Sequence, residues 1–144
     1  MINIVSLKSK TKKIREFNKK EWESVHPEHF GRKQDRSYWD KKKFFFVAEE
    51  NGEILGTLDG DYIAGVMYIS QLIVGQEKRG LGIGRNLMAA AEDLAKKNRL
   101  HLIYLKTGVD WKAVSFYESL GYGKETRLNN FYEKKDFWVM VKEI

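Results

Sequence analysis

The segment Leu72-Ile73-Val74-Gly75-Gln76-Glu77-Lys78-Arg79-Gly80-Leu81-Gly82-Ile83-Gly84 constrains the fold of this chain more than any other. Upstream of it, Val66 to Val74 is apolar and rich in β-branched and aromatic residues. Downstream, Ile83, Leu87, Ala91 and Leu94 recur on one helical face as far as Asn98. A strand must therefore become a helix at a corner with glycines at 80, 82 and 84. The first turn of a helix leaves main-chain N–H groups unpaired. Glycine removes the β-carbons that would hold an anion away from them, and the helix dipole and Arg79 both favour negative charge. The corner reads as an anion site, and a pyrophosphate fits it.

Spacing separates the motifs that use such corners. A P-loop needs Gly-Lys-Ser/Thr at the helix start, where this chain has Gly84-Arg85-Asn86. A dinucleotide-binding fold needs its glycines after the first strand of a βαβ unit, with an acidic residue about 20 positions on. Here the corner follows a hairpin meander in mid-chain. The remaining bland reading is a tight strand-to-helix turn with no ligand.

The surrounding pattern supplies the rest of the fold. Residues 2 to 7 alternate as a short strand would, and Thr11 to about Ser24 carries Ile14, Phe17 and Trp22 at helical spacing. His26 to Lys43, with Pro27 and Gly31, reads as loop and short helix. Phe44 to Ala48 and Ile54 to Leu58 flank Asn51-Gly52, which is a hairpin signature. Leu100 to Leu105 reads as a strand, Trp111 to Leu120 as a helix closed by Gly121, and Tyr122 to Arg127 and Phe137 to Val141 as two final strands. The order β-α-loop-βββ-α-β-α-ββ describes one mixed α/β (α+β) domain over residues 1–144, and a chain of 144 residues that is 42% hydrophobic can bury its core.

Charge and cysteine content narrow the function. The absence of cysteine excludes disulfides, thiolate metal sites and a cysteine nucleophile, and no metal site is expected. The N-terminus is apolar for only a few residues before a lysine cluster, the wrong order for a signal peptide, and no run is long enough to span a membrane. The expectation is cytoplasmic. The net charge of +6 is concentrated in residues 1–43, which hold 13 basic and 6 acidic side chains. That suits an acceptor bearing a carboxylate or phosphate, and equally a solvated lysine-rich surface.

Two motifs together resemble a known family. Arg79-Gly80-Leu81-Gly82-Ile83-Gly84, with Leu72-x-Val74 upstream, is similar to the Arg/Gln-x-x-Gly-x-Gly pattern of the GNAT superfamily of N-acetyltransferases. Asp110-Trp111-Lys112-Ala113-Val114-Ser115-Phe116-Tyr117-Glu118-Ser119-Leu120-Gly121-Tyr122 resembles its second signature, Asn-x-x-Ala-x-x-Phe-Tyr-x-x-x-Gly-Phe. The resemblance runs from about Phe44 to Ile144. It implies a mostly antiparallel central sheet, splayed between its fourth and fifth strands and flanked by helices. It also implies acetyl-CoA as cosubstrate and an amine acceptor; no membrane partner is expected, the chain carries no recognisable nucleic-acid motif, and the expected state is a monomer or homodimer.

The same resemblance assigns roles. Leu72, Ile73 and Val74 would offer main-chain groups to the pantetheine arm, with an N–H of that strand holding the oxyanion. Arg79, Gly80, Leu81, Gly82, Ile83, Gly84 and Arg85 would take the pyrophosphate. Tyr117 would be the general acid for the departing thiolate. Asp110 stands where the family has asparagine, and an ionised carboxylate accepts hydrogen bonds but donates none. Phe30, Tyr68, Ser70 and Tyr132 are the expected acceptor-side residues, with His26 and His29 in the loop beside them and His101 on the surface. Tyr68 and Ser70 occupy positions where relatives carry a Glu or His base, and Leu105 the position of a glutamate in ribosomal-protein N-terminal acetyltransferases. Deprotonation then falls to a water relay past Ser70 and Tyr68, or the amine arrives neutral. Two other readings compete: a sensor that binds acetyl-CoA without turnover, and a basic nucleic-acid module stacking bases on Trp22, Phe30, Tyr38 and Trp39.

Overall fold

The computed structural model describes residues 1–144, which form two compact units, Met1–Trp39 and Asp40–Ile144. In the first, helix α1 (Lys12–Phe30) starts at Thr11, whose hydroxyl accepts the Ile14 N–H at 3.3 Å. It ends at Gly31, which is left-handed (φ 71°) and donates its N–H to the Pro27 carbonyl at 2.7 Å. The helix therefore continues past Pro27, beyond the expected end near Ser24. Proline deletes one N–H, but the segment after it is held by the Gly31 cap and by His26, which is 2% exposed and stacks on Phe30 at 4.6 Å. His26 and His29 thus belong to a helix rather than to an irregular loop. The expected strand over residues 2–7 does not form: these residues are exposed and pair with no other strand. Alternation alone cannot hold a strand without a ladder partner.

The second unit is a six-stranded sheet with two helices. Its strands are β1 (Lys42–Glu50), β2 (Glu53–Ile63), β3 (Val66–Val74), β4 (Leu102–Gly108), β5 (Gly123–Leu128) and β6 (Phe137–Glu143), arranged in the order β1-β2-β3-β4-β6-β5. All neighbours are antiparallel except β3 and β4, which helix α2 (Ile83–Lys97) connects; helix α3 (Ala113–Ser119) links β4 to β5. Asn51 (φ 50°) and Gly52 (φ 80°) are both left-handed, as the tight β1–β2 turn requires. The buried side of the sheet contributes Leu58, Met67, Ile69, Ile103, Leu105 and Met140, and α2 packs Leu87, Met88, Ala91 and Ala95 into the same core. This is the α/β, mostly antiparallel arrangement the sequence suggests. Without an N-terminal strand, however, the strands either side of the parting count third and fourth, not fourth and fifth.

A bulge makes that parting. β2 and β3 pair in register from Ile63↔Val66 to Gly60↔Ile69, and then Asp59 faces Gln71, so Ser70 is the extra residue. The Ser70 hydroxyl donates to the Asp59 carbonyl at 3.0 Å across the irregularity. The slip resets which side chains face the core: Met67 and Ile69 before it, Leu72 and Val74 after it. The β3–β4 ladder stops at the same level, at Ile69↔Leu105. Beyond it β4 stays paired with β6 as far as Gly108↔Phe137, while β3 stays with β2 as far as Val74↔Gly56. The two central strands thus diverge towards the glycine corner.

Candidate active site

Leu72, Ile73 and Val74 form the last stretch of β3, beyond its pairing with β4. Strand residues direct their main-chain groups alternately to the two edges, so part of this stretch bonds β2 and the rest faces the gap. After a single 3₁₀ turn (Gln76–Lys78), the chain enters α2 through Gly80 and Gly82, each with φ 80°. Gly82 is the N-cap, and the first intrahelical bond runs from the Asn86 N–H to the Gly82 carbonyl at 3.0 Å. The amides of Ile83, Gly84 and Arg85 are therefore left unpaired at the helix start.

The three glycines are present for two different reasons. A Cβ on Gly80 or Gly82 would meet nothing within 4 Å, so those positions need glycine for their left-handed backbone and leave open space in front of the amides. A Cβ on Gly84 would lie 3.3 Å from the Phe116 ring, so Gly84 serves the packing of α3 on α2. Arg85 strengthens that contact by donating to the Ser119 hydroxyl at 3.1 Å. Arg79 directs its Nε to the Val74 carbonyl at 3.4 Å, beside the end of β3, and Leu81 is exposed.

Tyr117 lies on the inner side of α3, 8% exposed, with its ring edge-on to Phe116 at 5.1 Å and to Tyr122 at 6.0 Å. Burial pushes its hydroxyl up to about 12, so it keeps its proton at neutral pH. Asp110 is exposed in the turn before α3. Thr107, on the core side of β4 past the last β3 pair, is 2% exposed and its hydroxyl has no hydrogen-bond partner.

The opposite side of β4 gathers residues that the motifs do not identify. Tyr68 stacks on Tyr104 at 4.8 Å, and Lys106 donates to the Tyr132 hydroxyl at 3.1 Å. Phe131, Tyr132 and Phe137 pack together, with Trp111 against Phe137 at 5.3 Å. Tyr68 and Tyr132, both expected on the acceptor side, thus meet around one lysine. Ser70, in the bulge, is exposed; Phe30 lies in the Met1–Trp39 unit with His26 and Trp39. His101 is exposed just before β4. Leu105 is 1% exposed and points into the core, so the β4 side chain beside Tyr68 and Tyr132 is Lys106. Strand parity alone could have found this: Ile103 and Leu105 claim the core side, which leaves Tyr104 and Lys106 for the other.

Residues 11–122 match the model of the Acetyltransferase (GNAT) family, a match that begins upstream of Phe44, where the motif resemblance starts. N-alpha-acetyltransferase 30 of Schizosaccharomyces pombe is 36% identical over 98 residues, covering 62% of this chain and 64% of that protein. The chain spans less than two thirds of the length of the curated relatives it matches. Among solved structures, an acetyltransferase from Bacillus cereus superimposes with a TM-score of 0.70 at 20% identity, over 97% of this chain and 98% of that one. An N-acetyltransferase from Thermoplasma acidophilum, solved in complex with coenzyme A, superimposes with a TM-score of 0.64 at 22% identity, over 71% and 61%. With residues 11–122 inside the family match, this chain belongs to the Acetyltransferase (GNAT) family.

Proposed function

We propose that the chain is an acetyl-CoA-dependent N-acetyltransferase that moves an acetyl group to a primary amine by direct attack in a ternary complex. The observation that supports this most is the parting of β3 from β4 beside a helix start whose three amides are unpaired. Coenzyme A offers a diphosphate and an extended amide-containing arm, and the corner and the gap suit these in turn. The family match from residue 11, inside the first unit, supports reading residues 1–144 as one N-acetyltransferase domain.

In this reading the amides of Ile83, Gly84 and Arg85 hold the diphosphate, with Arg79 beside them and Gly80, Leu81 and Gly82 forming the loop. Main-chain groups of Leu72, Ile73 and Val74 extend the sheet along the pantetheine, and Asp110 can only accept a hydrogen bond from it. Acetyl-CoA supplies an activated acyl group; the residues orient it and manage charge. A β3 N–H stabilises the oxyanion formed when the amine attacks, and Tyr117 gives its proton to the departing sulfur. No carboxylate or imidazole stands at Tyr68, Ser70, Leu105 or Lys106 to act as a base. Burial raises the Tyr68 hydroxyl, with Lys106 opposing, and its proton is held at neutral pH. The amine must therefore arrive neutral or lose its first proton to water near Ser70; the further proton that its nitrogen sheds as the amide forms also passes to water, and Tyr117 regains its own from water.

Mixing the protein with acetyl-CoA and a panel of amines, and following free thiol, tests the reading. Thiol release that depends on an amine is expected. Acetyl-CoA binding without release against every amine would instead favour a sensor.

A further inference from the structure

Lys106 is the first β4 residue beyond the last pair with β3, so it stands where the gap opens. Its ammonium lies 5.0 Å from the ring centroid of Tyr68, 5.2 Å from that of Phe131 and 5.3 Å from that of Tyr132. These rings attract a cation through their faces and shield it from part of its water. None of the ion pairs in the chain includes Lys106. On its side of the sheet, its β6 neighbour in register is Val139, which carries no charge. An ammonium has three N–H donors; Tyr132 takes one and Tyr68 stands close enough to share a second, so at least one remains for a ligand. Burial pulls against the charge of this lysine, but the hydrogen bond to Tyr132 and the nearness of Tyr68 outweigh it, and the group stays cationic.

A fixed cation without a counter-charge, walled by aromatic rings, suits one planar anion. It also repels polyamines and other cationic acceptors. Lysine also binds phosphate, but a dianion asks for a second cation beside it, and the one arginine of the final hairpin, Arg127, is committed to Asp136. We propose that Lys106, held among Tyr68, Phe131 and Tyr132, binds a carboxylate on the acceptor and selects amines borne by acidic molecules. The proposal rests on the N-acetyltransferase reading.

The test compares matched acceptors at saturating acetyl-CoA. Leucine against leucinamide isolates an α-carboxylate once each kcat/KM is referred to the neutral-amine fraction, because the amide also lowers the pKa of the amine. A tripeptide amide beginning with aspartate against one beginning with asparagine isolates a side-chain carboxylate. In at least one pair the acidic member should have a kcat/KM higher on the order of tenfold, and the pair that responds identifies the source. Lys106→Met should bring that ratio close to unity, whereas Lys106→Arg should keep most of it. An equal ratio in Lys106→Met and wild type, or a wild-type preference for the neutral member in both pairs, would overturn the proposal. If no acceptor releases thiol, acyl transfer itself fails, and the site is read by binding. The ¹³Cε signal of Lys106, assigned from its loss in Lys106→Arg, should shift with leucine or the aspartate peptide more than with their amide counterparts. Equal shifts would overturn it. The same spectra report whether Lys106→Met is folded.

Discussion

Tyr117 joins a proposed role in the reaction to a stability consequence of its burial. Its hydroxyl makes no hydrogen bond within the chain and titrates near 12 rather than at its ordinary value of 10.0, with burial as the cause. It therefore keeps its proton throughout the neutral range, as the proposed donation to a departing thiolate requires. Tyr117→Phe should lower turnover at neutral pH by on the order of tenfold or more with little change in coenzyme A affinity; unchanged turnover would remove the acid assignment. The same shift affects stability at alkaline pH. Above about pH 10 the unfolded chain releases this proton while the folded chain holds it until about 12, so the unfolded state binds fewer protons and stability falls as pH rises. Below pH 10 the contribution is intact. Burial, with Glu92 adding to it, raises Tyr122 in the same direction. Urea unfolding between about pH 9 and 12 should thus show a steeper loss of midpoint in wild type than in Tyr117→Phe, and parallel curves would contradict the burial argument.

At the scale of elements, the bulge at Ser70 decides where the gap opens, and Gly60 on the facing strand permits it. A Cβ on Gly60 would overlap the Tyr68 carbonyl oxygen and come within 2.8 Å of the Phe44 ring. Backbone cannot yield as a flexible side chain can. Gly60→Ala should cost about 2 to 3 kcal/mol, the upper part of the range for overpacking, read as a lower Tm; a variant as stable as wild type would show that the bulge can move. Regular elements were legible from sequence because their signals are local. Asn51-Gly52 announced its hairpin, Val66–Val74 forms a strand over the expected residues, and Ile83, Leu87, Ala91 and Leu94 marked the buried stripe of α2. Features that depend on partners were not. Alternation at residues 2–7 could not disclose that no strand would pair with it, and Pro27 suggested an end that the Gly31 cap postponed. Motif spacing likewise does not fix which side of β4 faces the core, where Leu105 is buried and Lys106 stands beside Tyr68 and Tyr132. The apolar order Met67, Ile69, Leu72, Val74 does contain the slip of the bulge, as a break in period two.

For the whole molecule, ligand binding and stability are one measurement. A ligand that bridges the α2 amides and the diverging strands binds the folded chain and not the unfolded one. It should raise stability by about 2.7 kcal/mol at a concentration one hundred times its Kd. For a chain of 144 residues, between the size classes for which the conversion is established, this is a rise in Tm of roughly 8 to 13 °C. Gly82→Val tests whether the corner is the point of attachment. Its Cβ would meet no neighbouring atom, so the damage is not a blocked core; it is the left-handed backbone, at φ 80°, that a branched residue resists. The variant must either bear that strain or turn the first amides of α2 away from their common focus. Without coenzyme A its Tm should fall by a few degrees, on the order expected for 1 to 2 kcal/mol of backbone strain. The decisive quantity is the further rise on adding coenzyme A, which should nearly vanish in Gly82→Val while persisting in Tyr117→Phe. An undiminished rise in Gly82→Val would place the diphosphate elsewhere and remove the basis for reading this corner as its seat.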